Sequence, residues 1–302
     1  MRMRPEDGAS VRHRDLTGQT VLVTGATGGV GREVALALGR LGADVYVHGR
    51  DPDRGAAVAS DLRDLGSDAE FLPADFADLD AVAGLADAVR EHTDELDALV
   101  NNAGAHFDEG WLTDAGVEAT FHVNHLAPFA LTTALRDHLA DDGRVVTVAS
   151  EVHRRADLDL DDLGSVDDYD GFAAYSRSKL ANVLFTRELS RRLDGPEAVC
   201  CHPGFVPDSG LWRNSSLAVR AVMRLFSLLP RPLTFGKVDT AASAAVTPTF
   251  LAAVEDVAHG AYYRDCEPVE PAEQARDDGL AAELWAWSEE RVEGRLERPT
   301  DR

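Results

Sequence analysis

Between residues 20 and 204 the chain alternates short β-rich runs with longer segments of helical pattern. This constrains its fold more than any other feature. The runs are "TVLVTG" (20–25), "DVYVHG" (44–49), "AEFLPAD" (69–75), "LDALVNNAG" (96–104), "GRVVTVAS" (143–150) and "EAVCCHPG" (197–204). Helical patterns fall at 31–42, 53–65, about 78–93, about 114–140 and about 172–193. Strands that are apolar throughout, each followed by a helix, predict a parallel sheet covered on both faces. Beyond 204 the alternation stops. A mostly helical stretch follows, then "GAYYRDC" (260–266) as a last strand and "GLAAELWAWSEERV" (279–292) as a closing helix. That makes seven strands.

The turn after the first strand reads "TGATGGVG" (24–31). Glycines at 25, 29 and 31 leave backbone N–H groups and a helix N-terminus open to a pyrophosphate. A glycine cluster alone is a weak signal. Between a strand and a helix it marks a dinucleotide site, against the plain alternative of a tight turn. The expected fold is therefore α/β, a Rossmann-type, doubly wound, mainly parallel seven-stranded sheet. Residues 1–16 read as a flexible N-terminal tail. Residues 17–302 read as one domain, with 205–240 as a substrate-lid segment.

The second strand ends "HGRD", and its end is where a dinucleotide's 2′ position is read. Arg50 suits a 2′-phosphate through its planar fork. Asp51, one residue on, could instead reach a ribose diol. The reading favours NADP(H) over NAD(H).

Two lysines occur in the whole chain, Lys179 and Lys237; the other 28 of its 30 basic residues are arginine. Lys179 follows Tyr175 by four residues on a helical pattern, so the two share a face. A free tyrosine, with a pKa of about 10, is a poor base at neutral pH, and an adjacent ammonium favours its phenolate. Taken alone, this spacing is mostly chance.

Five motifs in order, however, resemble the short-chain dehydrogenase/reductase family. They are "TGATGGVG" (24–31), "NNAG" (101–104), Ser150 closing "VVTVAS", "YSRSK" (175–179) and "HPG" (202–204). "FAAYSRSKLANVLFTRELSRRL" and "GAYYRDCEPVEPAEQARD" look more narrowly like its retinol dehydrogenase-like branch. The resemblance implies a catalytic set of Ser150, Tyr175, Lys179 and Asn124. Tyr175 would be the acid/base, Ser150 would polarise the substrate oxygen, and Lys179 would tune Tyr175 and hold a ribose. Asn124 would order a relay water. It also implies cofactor contacts from Gly25, Thr27, Gly28, Gly29, Val30, Gly31 and Arg50. Asp75 and Phe76 would meet the adenine, and Asn102, Ala103 and Gly104 the ribose and phosphates. Val148, Pro203, Gly204 and Val206 would border the nicotinamide. Asp208 departs from the family's usual hydroxyl residue, which leaves that contact to Ser209 or loses it.

Composition narrows the partners. Acids exceed bases by 23, which argues against nucleic acid. Spread acidity with arginine in place of lysine points to a halophilic protein, or to an ordinary acidic one from a GC-rich genome. Cys200, Cys201 and Cys266 form no disulfide framework, which fits a reducing cytoplasm. No metal is implied; His122 and His125 sit at helical spacing without an evident third ligand. Residues 209–238 contain no Asp or Glu. Their arginines, with Arg220 and Arg224 on one stripe, leave three readings open: a core helix, an apolar lid, or weak contact with an anionic membrane surface. The resemblance also leaves pairing as a homodimer or homotetramer open.

The expected function is NADP(H)-dependent interconversion of an alcohol with its aldehyde or ketone, with an apolar substrate. The alternatives are reduction of a polar sugar or acyl carbonyl, and a non-catalytic NADP(H)-binding regulator on the same fold.

Overall fold

The computed structural model describes residues 3–207, 210–213, 219, 225 and 239–293. Eight strands form one sheet among these residues. They are β1 (Thr20–Val23), β2 (Asp44–Gly49), β3 (Ala69–Pro73), β4 (Leu96–Asn101), β5 (Leu139–Val148), β6 (Glu197–His202), β7 (Tyr262–Arg264) and β8 (Glu267–Pro268). The order is β3-β2-β1-β4-β5-β6-β7-β8. All neighbours pair in parallel except β7 and β8, which are antiparallel. The expected seven strands become eight. The extra one is a two-residue strand made by the chain turning back through Asp265 and Cys266, both at positive φ.

Alternate strand residues fill two cores. Leu22, Leu99, Val145 and Cys200 pack on one face. Val21, Val23, Val100, Val146 and Cys201 pack on the other. Period-2 alternation in strands with no polar face is what a sheet covered on both sides demands. Cys200 and Cys201 therefore point to opposite sides, as small apolar groups in the two cores.

The strand order reverses between β1 and β4. β1 leads leftward to β2 and β3, while β4 leads rightward. Such a switch point opens a crevice beyond the strands' C-terminal ends. The glycine turn after β1 and the Asn102–Gly104 segment after β4 both lie there.

Two expectations about local structure are corrected. The helix expected at about 114–140 is composite: a short helix at Ala119–Phe121, a π-turn at His122–Leu126, a helix at Ala127–Leu135 and a 3-10 turn at Arg136–His138. The expected flexible tail is packed from residue 5 onward. Pro5–Gly8 is helical, and Ala9, Val11 and Leu16 are buried. Glu6, 3% exposed, receives both Nε and a terminal nitrogen of Arg40, at 2.6 and 2.9 Å. That fork-to-carboxylate geometry compensates the desolvated charge. Among the described residues, no helix is long and apolar enough to cross a membrane.

Candidate active site

The glycine turn is held by a threonine that the sequence reading passed over. Thr24 Oγ1 accepts the N–H groups of Asn102 and Ala103, each at 3.0 Å, and donates to Val100 O at 3.2 Å. Asn102 Nδ2 donates back to Thr24 O at 2.8 Å. The turn after β1 and the segment after β4 are thus clipped together. Their closeness explains two glycines. A Cβ on Gly25 (φ +66) would sit 2.8 Å from Ala103 Cα, and one on Gly31 would sit 2.3 Å from Asn102 Nδ2 and 2.6 Å from Gly25 O. By contrast, a Cβ on Gly28 or Gly29 would meet nothing within 4 Å. There the backbone faces open space at the N-terminus of the Gly29–Arg40 helix. Thr27 and Val30, half-buried, flank that space. An open helix N-terminus on a glycine turn fits an anionic pyrophosphate.

At the end of β2, Gly49 lets Thr27 come close: a Cβ there would be 2.4 Å from Thr27 Cγ2. Arg50 is about half exposed, and its nearest acid is Asp75 at 3.6 Å. Asp51 is committed elsewhere. It caps the Pro52–Asp64 helix, accepting Arg54 N at 3.1 Å. Asp75 Oδ1 also accepts Ala77 N at 3.1 Å. The Phe76 side chain turns into the core, 3% exposed, so only its backbone remains for a ligand.

The second cluster lies beyond β4, β5 and β6. Tyr175 and Lys179 are carried by the Gly171–Arg192 helix, whose N-terminus is capped by Asp170 through Phe172 N and Ala173 N at 2.8 and 2.9 Å. The one-turn spacing puts Lys179 Nζ 5.6 Å from the centre of the Tyr175 ring. Lys179 Nζ donates to Val148 O at 2.8 Å. Ser150, the residue after Val148–Ala149, lies beside the phenol. Asn124 sits in the π-turn, an insertion that often re-aims a side chain at functional sites. Its Oδ1 accepts Ala105 N at 2.7 Å, and its Nδ2 donates to Ala105 O at 2.9 Å and Ser178 Oγ at 3.0 Å. Gly104 fits between: a Cβ there would be 3.3 Å from Asn124 Oδ1 and 3.6 Å from Lys179 Nζ. Pro203, Gly204 and Val206 follow β6 as half-buried loop residues. Gly204 is at φ +113, and its neighbour's N–H (Phe205) is tied to Asp239 Oδ2 at 3.1 Å. Asp208, Ser209 and the Arg220/Arg224 stripe lie outside the described residues.

The electrostatics overturn one expectation. The Lys179 ammonium was expected to pull the Tyr175 phenol down. Instead, burial pushes the phenol well above the ordinary tyrosine value, opposed only by the nearby Ser150 hydroxyl. The same burial draws Lys179 down from 10.5 to about 8. Both groups sit in a dry pocket with no carboxylate beside them, so desolvation of the charged form outweighs their mutual effect. At neutral pH the pair is a phenol and an ammonium, an arrangement that can donate a proton to a substrate oxygen. His122 and His125, considered above as metal ligands, are packing residues. His122 Nδ1 meets Thr113 Oγ1 at 2.6 Å, and His125 Nε2 meets Ser288 Oγ at 2.9 Å.

His153 also supports the site without a sequence signal of its own. Its Nε2 accepts Ala272 N at 3.0 Å and its Nδ1 donates to Ser150 O at 2.6 Å. The segment after β8 thereby fixes the backbone of Ser150.

A switch-point crevice with an open glycine turn on one side and a buried Ser-Tyr-Lys cluster on the other defines an α/β oxidoreductase that uses a nicotinamide dinucleotide. A profile described as short chain dehydrogenase matches residues 19–218, and the chain belongs to that family, in its retinol dehydrogenase-like branch. It is 36% identical over 293 residues to human retinol dehydrogenase 14, covering 90% of this chain and 85% of the relative. It is 37% identical over 277 residues to a Streptomyces sp. (strain C5) protein provisionally named as a daunorubicin C-13 ketoreductase, with 90% and 92% covered. Among solved structures, the angucycline C-6 ketoreductase LanV with bound NADP matches with a TM-score of 0.65 and 30% identity, covering 82% of this chain and 94% of LanV. The chain is thus an oxidoreductase acting on CH–OH groups of small molecules.

Proposed function

We propose that the protein interconverts an apolar alcohol and its aldehyde or ketone with NADP(H), using Tyr175 as acid/base. The observation that carries this is the meeting of Ser150, Tyr175 and Lys179 in one buried pocket beyond β5. The cofactor supplies or accepts the hydride. The chain's residues do the rest. Ser150 and Tyr175 hold the substrate oxygen between two hydroxyls, which polarises a carbonyl. Tyr175 gives its proton to that oxygen in reduction and takes one back in oxidation. Lys179, anchored on Val148 O, directs its remaining N–H groups toward the ribose. Asn124 holds Gly104 and Ala105 in place. Its side-chain amide hydrogens are already used, so a relay water would rest on the second lone pair of Oδ1 or on its backbone.

Arg50 supports NADP(H) over NAD(H): it is exposed, while Asp51, the competing diol acceptor, is spent on a helix cap. The apolar substrate is supported by exposed apolar side chains. Trp111 and Phe172 are each 42% exposed, and Leu112 43%. Trp111 packs edge-on against Phe107 at 6.0 Å, and Phe107 O lies 2.2 Å from where a Cβ on Gly171, next to Phe172, would be. Phe172 lies one turn before Tyr175 on the same helix, and exposed apolar groups near a reacting side chain are stabilised when a greasy substrate covers them. The relatives' names, with retinol, daunorubicin and angucycline, agree. We further take residues 17–302, with the packed residues 5–16 added, as one domain with 205–240 as its lid, most of which lies outside the described residues. Unpaired cysteines support a cytoplasmic setting.

The test is cofactor consumption by the purified protein against carbonyls graded in apolar length, beside sugar and acyl carbonyls. NADPH oxidation rising with apolar length is expected. Cofactor binding with no turnover across the panel would instead favour a regulator.

A further inference from the structure

One buried side chain joins the pyrophosphate and adenine ends of the crevice. His48, near the end of β2, is 2% exposed. Its Nδ1 accepts the N–H of Gly25, the first glycine of the turn, at 3.3 Å. An acceptor at Nδ1 puts the ring proton on Nε2, which faces Ala74 O at 3.1 Å. The ring stacks on Phe76, with centres 4.4 Å apart and planes 20° from parallel. The backbone repeats the link: Ala26 N donates to His48 O at 2.9 Å, and Ala74 N to Gly49 O at 3.3 Å. Burial draws the imidazole down to about 4, so it is neutral across the working range and keeps this tautomer. Arg50 follows it by two residues, and Asp75, expected with Arg50 at the 2′ and adenine positions, follows its partner Ala74.

We propose that His48 is a positioning residue for the dinucleotide. It fixes the distance between the Gly25–Gly31 turn and the Ala74–Phe76 segment, so that both ends of the adenosine diphosphate half find their partners at once. This rests on the dinucleotide reading of the crevice but not on the choice between NADP(H) and NAD(H). Holding the Gly25 N–H inward also leaves the N–H groups at Gly28 to Gly31 as the ones that face the anion. A ligand that bridges two loops gains affinity when their spacing is set before it arrives.

Two conservative variants separate the two bonds. In His48→Asn the side-chain oxygen falls near the Nδ1 position and keeps the Gly25 bond. In His48→Gln the amide nitrogen falls near Nε2 and keeps the Ala74 bond. His48→Ala loses both. The measurements are the Kd of NADPH, NADH and ADP by titration of the apoprotein, the melting temperature without ligand, and kcat at saturating cofactor. His48→Ala should raise Kd at least tenfold for all three ligands, and His48→Asn and His48→Gln at least threefold, because each of those two breaks one end of the link; kcat should stay within threefold in all three variants. Wild-type affinity in His48→Gln or His48→Ala would overturn the proposal. So would affinity losses that follow the melting temperature across all three variants, because packing alone would then explain them. A wild-type protein that binds none of the three ligands would overturn the dinucleotide reading itself, and this proposal with it.

Discussion

Replacing Lys179 by methionine should make the cofactor-free protein more stable at neutral pH while abolishing its turnover. Lys179 is 3% exposed, and Val148 O at 2.8 Å is its hydrogen-bond acceptor. Its pKa falls from 10.5 to about 8 on burial. Between those values the unfolded chain binds more protons than the folded one, so stability rises with pH there and the full penalty applies below about 8. At pH 7 that penalty is about 3 kcal/mol. Methionine removes the charge at similar length. It leaves Val148 O with the longer Asn182 Nδ2 contact at 3.5 Å, a loss of about 1–2 kcal/mol. The variant should therefore gain about 1–2 kcal/mol at pH 7, a few degrees in Tm. Near pH 9.5 the remaining penalty is only about 1 kcal/mol, so the two proteins should melt together. Thermal denaturation without cofactor at both pH values reads this directly. A variant less stable than wild type by the same margin at both pH values would refute the reasoning, since the ammonium would then carry no burial cost.

Arg50→Asp should lower the preference for NADPH over NADH by about 10–100-fold in relative kcat/KM, because a charge-assisted fork is lost and an acid is set beside Asp75. An unchanged ratio would place the 2′ site elsewhere. Potassium chloride at molar concentration should raise both Tm and activity, because a net charge of −23 repels itself until screened to about 3 Å. Equal stability in dilute buffer and concentrated salt would contradict the halophilic reading.

Much of this was legible in the sequence, for reasons that particular residues show. Unbroken apolar runs such as "TVLV" announce strands buried on both faces, and the Tyr175–Lys179 spacing survives any detail of packing. What escaped depends on distant partners. The Glu6–Arg40 pair joins residues 34 apart in the chain, so the first 16 residues looked unanchored. The π-turn around Asn124 has no periodicity of its own, because one extra residue in a helical pattern leaves the apolar spacing nearly intact. Thr24, His48 and His153 are single polar residues in or beside apolar segments. Only the fold shows that Thr24 meets three backbone groups and each histidine two. The tyrosine's pKa was misjudged because a one-helix argument sees the neighbouring ammonium but not the water that tertiary packing removes.

The central claim is that the Tyr175 phenol moves the proton while the rest of the site binds and aligns. Tyr175→Phe deletes one oxygen from a buried ring and leaves Lys179, Ser150 and the glycine turn in place. Single-turnover reduction of an apolar ketone, measured alongside the NADPH dissociation constant, tests it most directly. The account predicts a rate lower by about 10²–10⁴-fold with cofactor affinity unchanged within a few fold. A variant that keeps a tenth or more of the wild-type rate would contradict it.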